Sequence, residues 1–230
     1  MEIRIDSLLE GAARATGTVA IIDVFRAFTT AAVALANGAA RIVLVGSVEQ
    51  ALSLRDSGKG RICIGEVDGV MPLAFDFGNS PFEISGIDFR GETLIQRTSA
   101  GVQGIVAATQ AQSLYGAALV TAAATARAML AEDSQRITLV AMGENGAART
   151  DEDEVCALHL RNLLEGRAGN VQAVRQLILA GGTVGQFHDP ARPHFHQRDL
   201  DIALDVDRYD FAIPIRREDG RLVARRQGGH

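Results

Sequence analysis

Thr18-Val-Ala-Ile-Ile-Asp-Val-Phe-Arg-Ala-Phe-Thr-Thr30 is the stretch on which the rest of the chain turns. Its opening residues form an apolar, β-branched run of the kind that fills a buried strand, and the run stops at Asp23. Arg26 stands three residues later, and Thr29 and Thr30 lead into an Ala-rich stretch that reads as a helix over 26–37, closed by Gly38 as a left-handed stop. A strand-to-helix join of this form brings together a carboxylate, a guanidinium and helix N–H groups that lack intrahelical partners. The positive end of the helix dipole adds to Arg26, so the join is a candidate seat for a phosphate or carboxylate. Asp23 beside it is a candidate metal ligand, or more simply an N-cap.

Working outward, strands and helices alternate. Residues 41–45 read as a strand, and Ser47-Val-Glu-Gln50 has the form of a capping box that starts a helix running to about 58. A strand over 61–65 is followed directly by Glu66. Residues 67–92 are rich in Gly, Pro, Asp and Asn and read as a long loop, a length that usually signals function in a compact domain. A strand over 93–97 passes through Thr98-Ser-Ala-Gly101 into a helix to about 111, then come a strand over 117–121, a helix, and a strand over 136–142. Helices are expected over 151–166 and 170–179, and a hairpin pairs 209–216 with 222–225 around Asp219-Gly220. The pattern predicts an α/β fold: a three-layer α/β/α sandwich whose largely parallel sheet is mixed at its edge by the terminal hairpin. One domain over 1–230 is expected, with two compact lobes as the alternative.

In such sheets ligands bind at the carboxyl ends of the strands. Strand after strand here ends in a group suited to a metal or an anion: Asp23, Glu66, Thr98 with Ser99, Thr121, and Gly143-Glu-Asn-Gly146. Asp23, Glu66 and Asp76 are oxygen ligands of the type Mg²⁺ prefers, against the plainer reading of an N-cap and two loop charges. Glu152, Asp153 and Glu154 open a helix, where the dipole alone favours acids. His188, Asp189, His194 and His196 raise the thought of zinc, but Pro190 and Pro193 stiffen that loop and the spacing is not that of tight zinc sites. Cys63 and Cys156 lie in apolar segments and read as buried reduced thiols.

Composition narrows the field. The net charge of -5 argues against sequence-independent nucleic-acid binding, and the arginines of 216–226 read as solvated hairpin charge. No apolar run approaches the roughly 18 residues of a membrane span, and the N-terminus lacks the layout of a signal peptide, so a cytoplasmic protein is expected.

The motifs together resemble the 2-phosphosulfolactate phosphatase family over nearly the whole length. The resemblance rests on Ile22-Asp-Val-Phe-Arg-Ala-Phe-Thr-Thr30, Gly65-Glu66 with Phe75-Asp-Phe-Gly-Asn-Ser-Pro81, Val140-Ala-Met-Gly143 with Glu152-Asp-Glu-Val-Cys-Ala157, Asp199-Leu200 and Ile213-Pro214. It implies Mg²⁺-dependent hydrolysis of 2-phosphosulfolactate, a step toward coenzyme M or sulfolactate. The partner would be a small phosphorylated sulfonate or carboxylate, and a homo-oligomer is open. Catalytic roles fall on Asp23, Arg26 and Glu66, and metal binding on Asp23, Glu66 and Asp76. Contacts to phosphate or substrate fall on Thr29, Thr30, Asn79, Ser80, Thr98, Ser99 and Gly101. The segment Thr98-Ser-Ala-Gly-Val-Gln-Gly104 stands where family members carry Thr-Asn-Gly-Thr, one residue longer, so it is expected to bear on substrate choice. The alternatives are a phosphatase for another small phosphorylated acid, and a non-catalytic anion-binding module on the same fold.

Overall fold

The computed structural model describes residues 1–229. Nine strands form one sheet in the order β1-β7-β2-β6-β8-β9-β3-β5-β4. β1 (Glu2–Ser7), β2 (Gly17–Ile22), β6 (Ala111–Ala117) and β7 (Arg136–Ala141) make one parallel group, and β3 (Arg41–Leu44), β4 (Ile62–Gly65) and β5 (Thr93–Arg97) make another. The hairpin of β8 (Ile213–Glu218) and β9 (Arg221–Ala224) joins the two groups through antiparallel pairing at both of its flanks.

Strict alternation divides each strand between two layers. In β2, Val19 and Ile21 enter one core with Phe28, Ile42, Leu44 and Leu94, while Ala20 and Ile22 enter a second core with Leu139, Leu160 and Ile178. The first core packs against α1 (Leu8–Arg14), α2 (Ala27–Ala36) and α4 (Gly101–Ala107); the second packs against α5 (Ala122–Ala131), α6 (Asp151–Leu164), α7 (Val171–Leu179) and α8 (Gln197–Ala203). α3 (Val48–Asp56) covers Val43, Cys63 and Ile95 on the outer face of the second strand group. This is the three-layer α/β architecture expected. Every residue of α2 from Ala27 to Leu35 is buried, as an Ala-rich helix enclosed between layers requires.

The structure departs from the sequence reading in four places, one of them the 3₁₀ turns over Thr183–His188 and helix α8, which the reading left without an element. The N-terminal strand β1 and helix α1 are additional, because Glu2-Ile-Arg-Ile-Asp alternates as an edge strand does and was read only as a terminus. The strand expected over 117–121 lies over Ala111–Ala117, and Leu119–Thr121 is a 3₁₀ turn. The hairpin is central rather than at an edge. A proline within a strand normally signals an edge because it lacks a donor. Pro214 escapes this limit: its C=O accepts from Arg225 N (3.2 Å), beyond the end of β9, so its nitrogen faces that side and no bond to β6 is lost.

The two parallel groups run in opposite directions, yet their carboxyl ends meet. Five strand steps separate β2 from β5. At roughly 20–25° of twist per step they turn the sheet by about 100–125°, enough to aim both sets of strand ends into one crevice.

Candidate functional site

Asp23 follows β2 and is held rigidly. Its Oδ1 accepts from Ala27 N (3.0 Å) at the start of α2, and its Oδ2 accepts from Gly101 N (2.7 Å) at the start of α4. The two crossover helices are thus pinned to one carboxylate. Gly101 is obligatory there, since a Cβ would lie 2.8 Å from Asp23 Oδ2. Glu66, after β4, is gripped in the same way: Oε1 accepts from Ser99 N (2.5 Å), and Oε2 from Gly69 N (2.7 Å) and Ser99 Oγ (3.0 Å).

Arg26 is almost fully buried, at 2% exposure. Its Nη1 donates to Asp199 Oδ2 (2.8 Å) and to the His194 carbonyl (2.6 Å), and its guanidinium lies 4.4 Å from the centre of the Phe195 ring. Nε and Nη2 have no partner among the described residues, so that edge of the fork is open. Asp199 also accepts from Ser80 Oγ (2.6 Å) and Phe82 N (3.0 Å), which satisfies a carboxylate that is completely enclosed.

Asp23, Arg26, Glu66 and Asn79 line one cavity of about 730 Å³. The side-chain Oδ1 of Asn79 is buried there without a hydrogen-bond partner among the described residues. The 143–145 loop after β7, Glu152, and the 182–195 segment complete the wall. Glu152 and Asp153 belong to the first turn of α6 but are buried, which a dipole role alone does not require. Asp153 accepts from Val24 N and Gly143 N (2.8 Å each), tying the ends of β2 and β7 together, and Glu152 Oε2 accepts from Thr183 Oγ1 (2.7 Å).

The electrostatics follow from burial. Asp23 is pushed up to about 6, chiefly by desolvation and further by the charges of Glu66 and Glu152, while its two backbone donors pull the other way. Burial likewise raises Glu152, and raises Asp153 well above its ordinary value, with Glu152 and Asp23 adding to it. His194 is lowered by desolvation, then by Arg26 and Arg192.

Other expected site residues stand behind the wall. Thr29 Oγ1 donates to Val24 O (2.8 Å), Thr30 Oγ1 to Asn79 O (3.1 Å), and Thr98 Oγ1 accepts from Val102 N (3.1 Å). Ser80 serves Asp199, Ser99 serves Glu66, and Gly101 serves Asp23. The N–H groups of Ser99 and Gly101 are therefore spent on carboxylates, and the 98–101 loop acts as the clasp that holds Asp23 and Glu66, with Ala100 on the cavity wall. Asp76 is set apart from the cavity: its Oδ2 accepts from Cys63 N (2.7 Å) and lies 4.0 Å from Arg55 Nη1. Thr121 is also elsewhere, hydrogen-bonded to Ala118 O. His196 Nδ1 caps α8 by accepting from Arg198 N (3.1 Å). Both cysteines are buried and free.

Three buried cavity carboxylates, Asp23, Glu66 and Glu152, have no salt-bridge partner among the described residues, so a cation would relieve their repulsion. Among the described residues no group of three or more His, Cys, Asp or Glu is arranged to hold a metal by itself. The donor set suits a hard cation that takes one or two protein carboxylates and fills its remaining positions with water and ligand oxygens, the habit of Mg²⁺.

Sequence reasoning missed Asp199, the partner of Arg26. The only available signal was its place in a matched segment, because 173 residues separate the two in the chain. No helix of the described residues is long and apolar enough to cross a membrane.

A family model described as 2-phosphosulpholactate phosphatase matches residues 4–210. The chain is 31% identical over 208 residues to a probable 2-phosphosulfolactate phosphatase of Bacillus subtilis, covering 88% of each chain. It is 36% identical over 153 residues to a protein of the same description from Deinococcus radiodurans, covering 66% of this chain and 63% of that one. A third, from Thermoplasma volcanium, is 28% identical over 190 residues, or 83% and 85% of the two chains.

Proposed function

The chain belongs to the 2-phosphosulfolactate phosphatase family, and from that premise we propose that it hydrolyses a small phosphorylated acid, 2-phosphosulfolactate first among them, with Mg²⁺ as cofactor. The observation that carries this reading is the half-used guanidinium of Arg26. A buried arginine whose Nη1 is anchored and whose Nε and Nη2 are open toward a cavity is preorganised for a tetrahedral oxyanion, because the fork is aimed before the ligand arrives. Phe195 over the guanidinium keeps water from that face, so the attraction acts in a low dielectric.

Asp23 and Glu66 would hold the metal, with Glu152 nearby, and Asp76 is left out of the set by its position. The ion would supply positive charge for a phosphoryl oxygen. Arg26 binds and orients the phosphoryl group. Asp199, through Arg26, fixes that orientation. Glu152 has one oxygen held by Thr183 and a carboxyl raised by burial; beside Asp23 and Glu66 it is the other buried acid of the cavity, and it takes a proton from the attacking water. The water oxygen bonds to phosphorus, the bond from phosphorus to the ester oxygen breaks, the ester oxygen takes up a proton from solvent, and phosphate and the hydroxy acid are released, Glu152 giving its proton back to water.

The test is phosphate release from a panel of phosphorylated three-carbon acids, with Mg²⁺ and with EDTA. Mg²⁺-dependent turnover that is highest on 2-phosphosulfolactate is expected. Tight phosphate binding without turnover on any member would instead support an anion-binding module.

A further inference from the structure

The cavity walls carry more carboxylate than guanidinium, which poses a problem for a substrate with more than one acid group. Its phosphate has Arg26 and a cation, but its second acid would face repulsion almost everywhere else. Besides Arg26, the arginines lining the cavity are Arg149 and Arg192. Arg149 is tied to Glu154 (Nε–Oε1 3.4 Å) and is 68% exposed. Arg192 is held more loosely by side chain and more firmly by backbone. Its Nε is 4.0 Å from Asp189 Oδ2, beyond hydrogen-bond reach. Its own N donates to Asp189 O (3.0 Å), and its C=O accepts from Phe195 N (2.9 Å).

The same turn gives the His194 carbonyl to Arg26 and lays Phe195 over it. His194 is lowered by desolvation and then by Arg26 and Arg192, while Glu66 raises it. One turn thus carries both Arg192, one of the cavity arginines, and the groups that hold Arg26.

We propose that the 189–195 turn is the specificity element of this site, and that Arg192 receives the second acid group of the substrate, a sulfonate or carboxylate, while Arg26 holds the phosphate. The inference rests on the phosphatase reading above. It moves specificity away from the 98–101 loop, whose Ser99 and Gly101 donors are already committed to Glu66 and Asp23. It also gives the weak Arg192–Asp189 pair a purpose. A guanidinium with a distant, half-exposed partner can exchange that partner for a ligand oxyanion at little cost.

The experiment measures kcat/KM of wild type, Arg192→Gln and Arg149→Gln on three esters of one skeleton. These are 2-phosphosulfolactate, 2-phospholactate (which lacks the sulfonate) and isopropyl phosphate (which lacks both acids). Arg192→Gln should lower the preference for 2-phosphosulfolactate over isopropyl phosphate by roughly 10–100-fold, with KM carrying most of the change. The 2-phospholactate arm separates the sources: a comparable loss assigns the contact to the carboxylate, and no loss assigns it to the sulfonate. Arg192→Lys should recover part of the preference. An unchanged preference in Arg192→Gln, or a larger change in Arg149→Gln, overturns the proposal. If wild type turns over none of the three, the phosphatase reading fails, and the proposal is then read from binding of 3-sulfolactate by calorimetry: weaker binding to Arg192→Gln supports it, and equal binding sinks it.

Discussion

Two Arg–Asp pairs sit on the same cavity and differ in nearly every respect. Arg26 and Asp199 are 2.8 Å apart with side chains 2% and 0% exposed, whereas Arg192 and Asp189 are 4.0 Å apart at 47% and 43%. The first pair is embedded in further hydrogen bonds, from Ser80 Oγ and Phe82 N to Asp199 and from Arg26 Nη1 to the His194 carbonyl. Such a pair does not exchange, since either partner alone would be an uncompensated buried charge. The second is screened by water and contributes little to stability. On the proposed reading, a site that holds a phosphate in one orientation and yet accepts and releases a whole substrate would use both kinds: a fixed cation at the floor and an exchangeable one at the rim.

The comparison predicts its own largest effect at the floor. Asp199→Ala strands Arg26 and leaves the donors of Ser80 and Phe82 unsatisfied, so a loss of about 3–5 kcal/mol is expected in urea unfolding. A loss below about 1 kcal/mol would mean that the floor pair behaves like the rim pair.

Arg26→Lys keeps the charge and loses the fork. Turnover should fall by an amount corresponding to about 2–4 kcal/mol, while the variant remains folded by circular dichroism. Full activity at reduced thermal stability would make Arg26 a structural partner only.

The pH dependence sharpens the contrast in a third way. The folded state favours protonated Asp23, so its stabilising contribution is complete below 3.8 and is lost as pH rises through about 6. At pH 7 and without metal, the ionised carboxylate therefore costs on the order of 3 kcal/mol. Carboxyl-carbon NMR in EDTA should show Asp23 titrating near 6, moving lower on addition of Mg²⁺. A midpoint at the ordinary carboxylate value, insensitive to Mg²⁺, would remove Asp23 from the metal site.

The smallest effect belongs to the rim. Asp189→Asn should change stability by less than about 1 kcal/mol, because its ion pair is half exposed and long. A larger loss in thermal melts would show the 189–195 turn to be structurally fixed and unfit for exchange.

Much of the site was legible at the strand ends. Asp23 and Glu66 were visible because a polar residue directly after an apolar run must emerge at a sheet edge, and the Gly143 loop was visible for the same reason. Asp76, in the long loop after β4, turned back to the Cys63 amide, a choice that its neighbours in sequence do not reveal. Thr98, Ser99 and Gly101 were recognised as a loop facing the crevice, but the recipients of their donors were not, since Glu66 and Asp23 lie 33 and 78 residues away.

Local pattern by itself determined the alternation of strands and helices, the burial of β2 and α2, and the family, because periodicity and ordered motifs are properties of neighbouring residues. Tertiary structure alone decided the central place of the β8–β9 hairpin, the twist that brings opposed strand ends into one cavity, and the contrast between the buried Arg26–Asp199 pair and the half-exposed Arg192–Asp189 pair. Those depend on which groups meet across the fold, and burial, which sets the strength of a charge pair, exists only after the chain has closed around it.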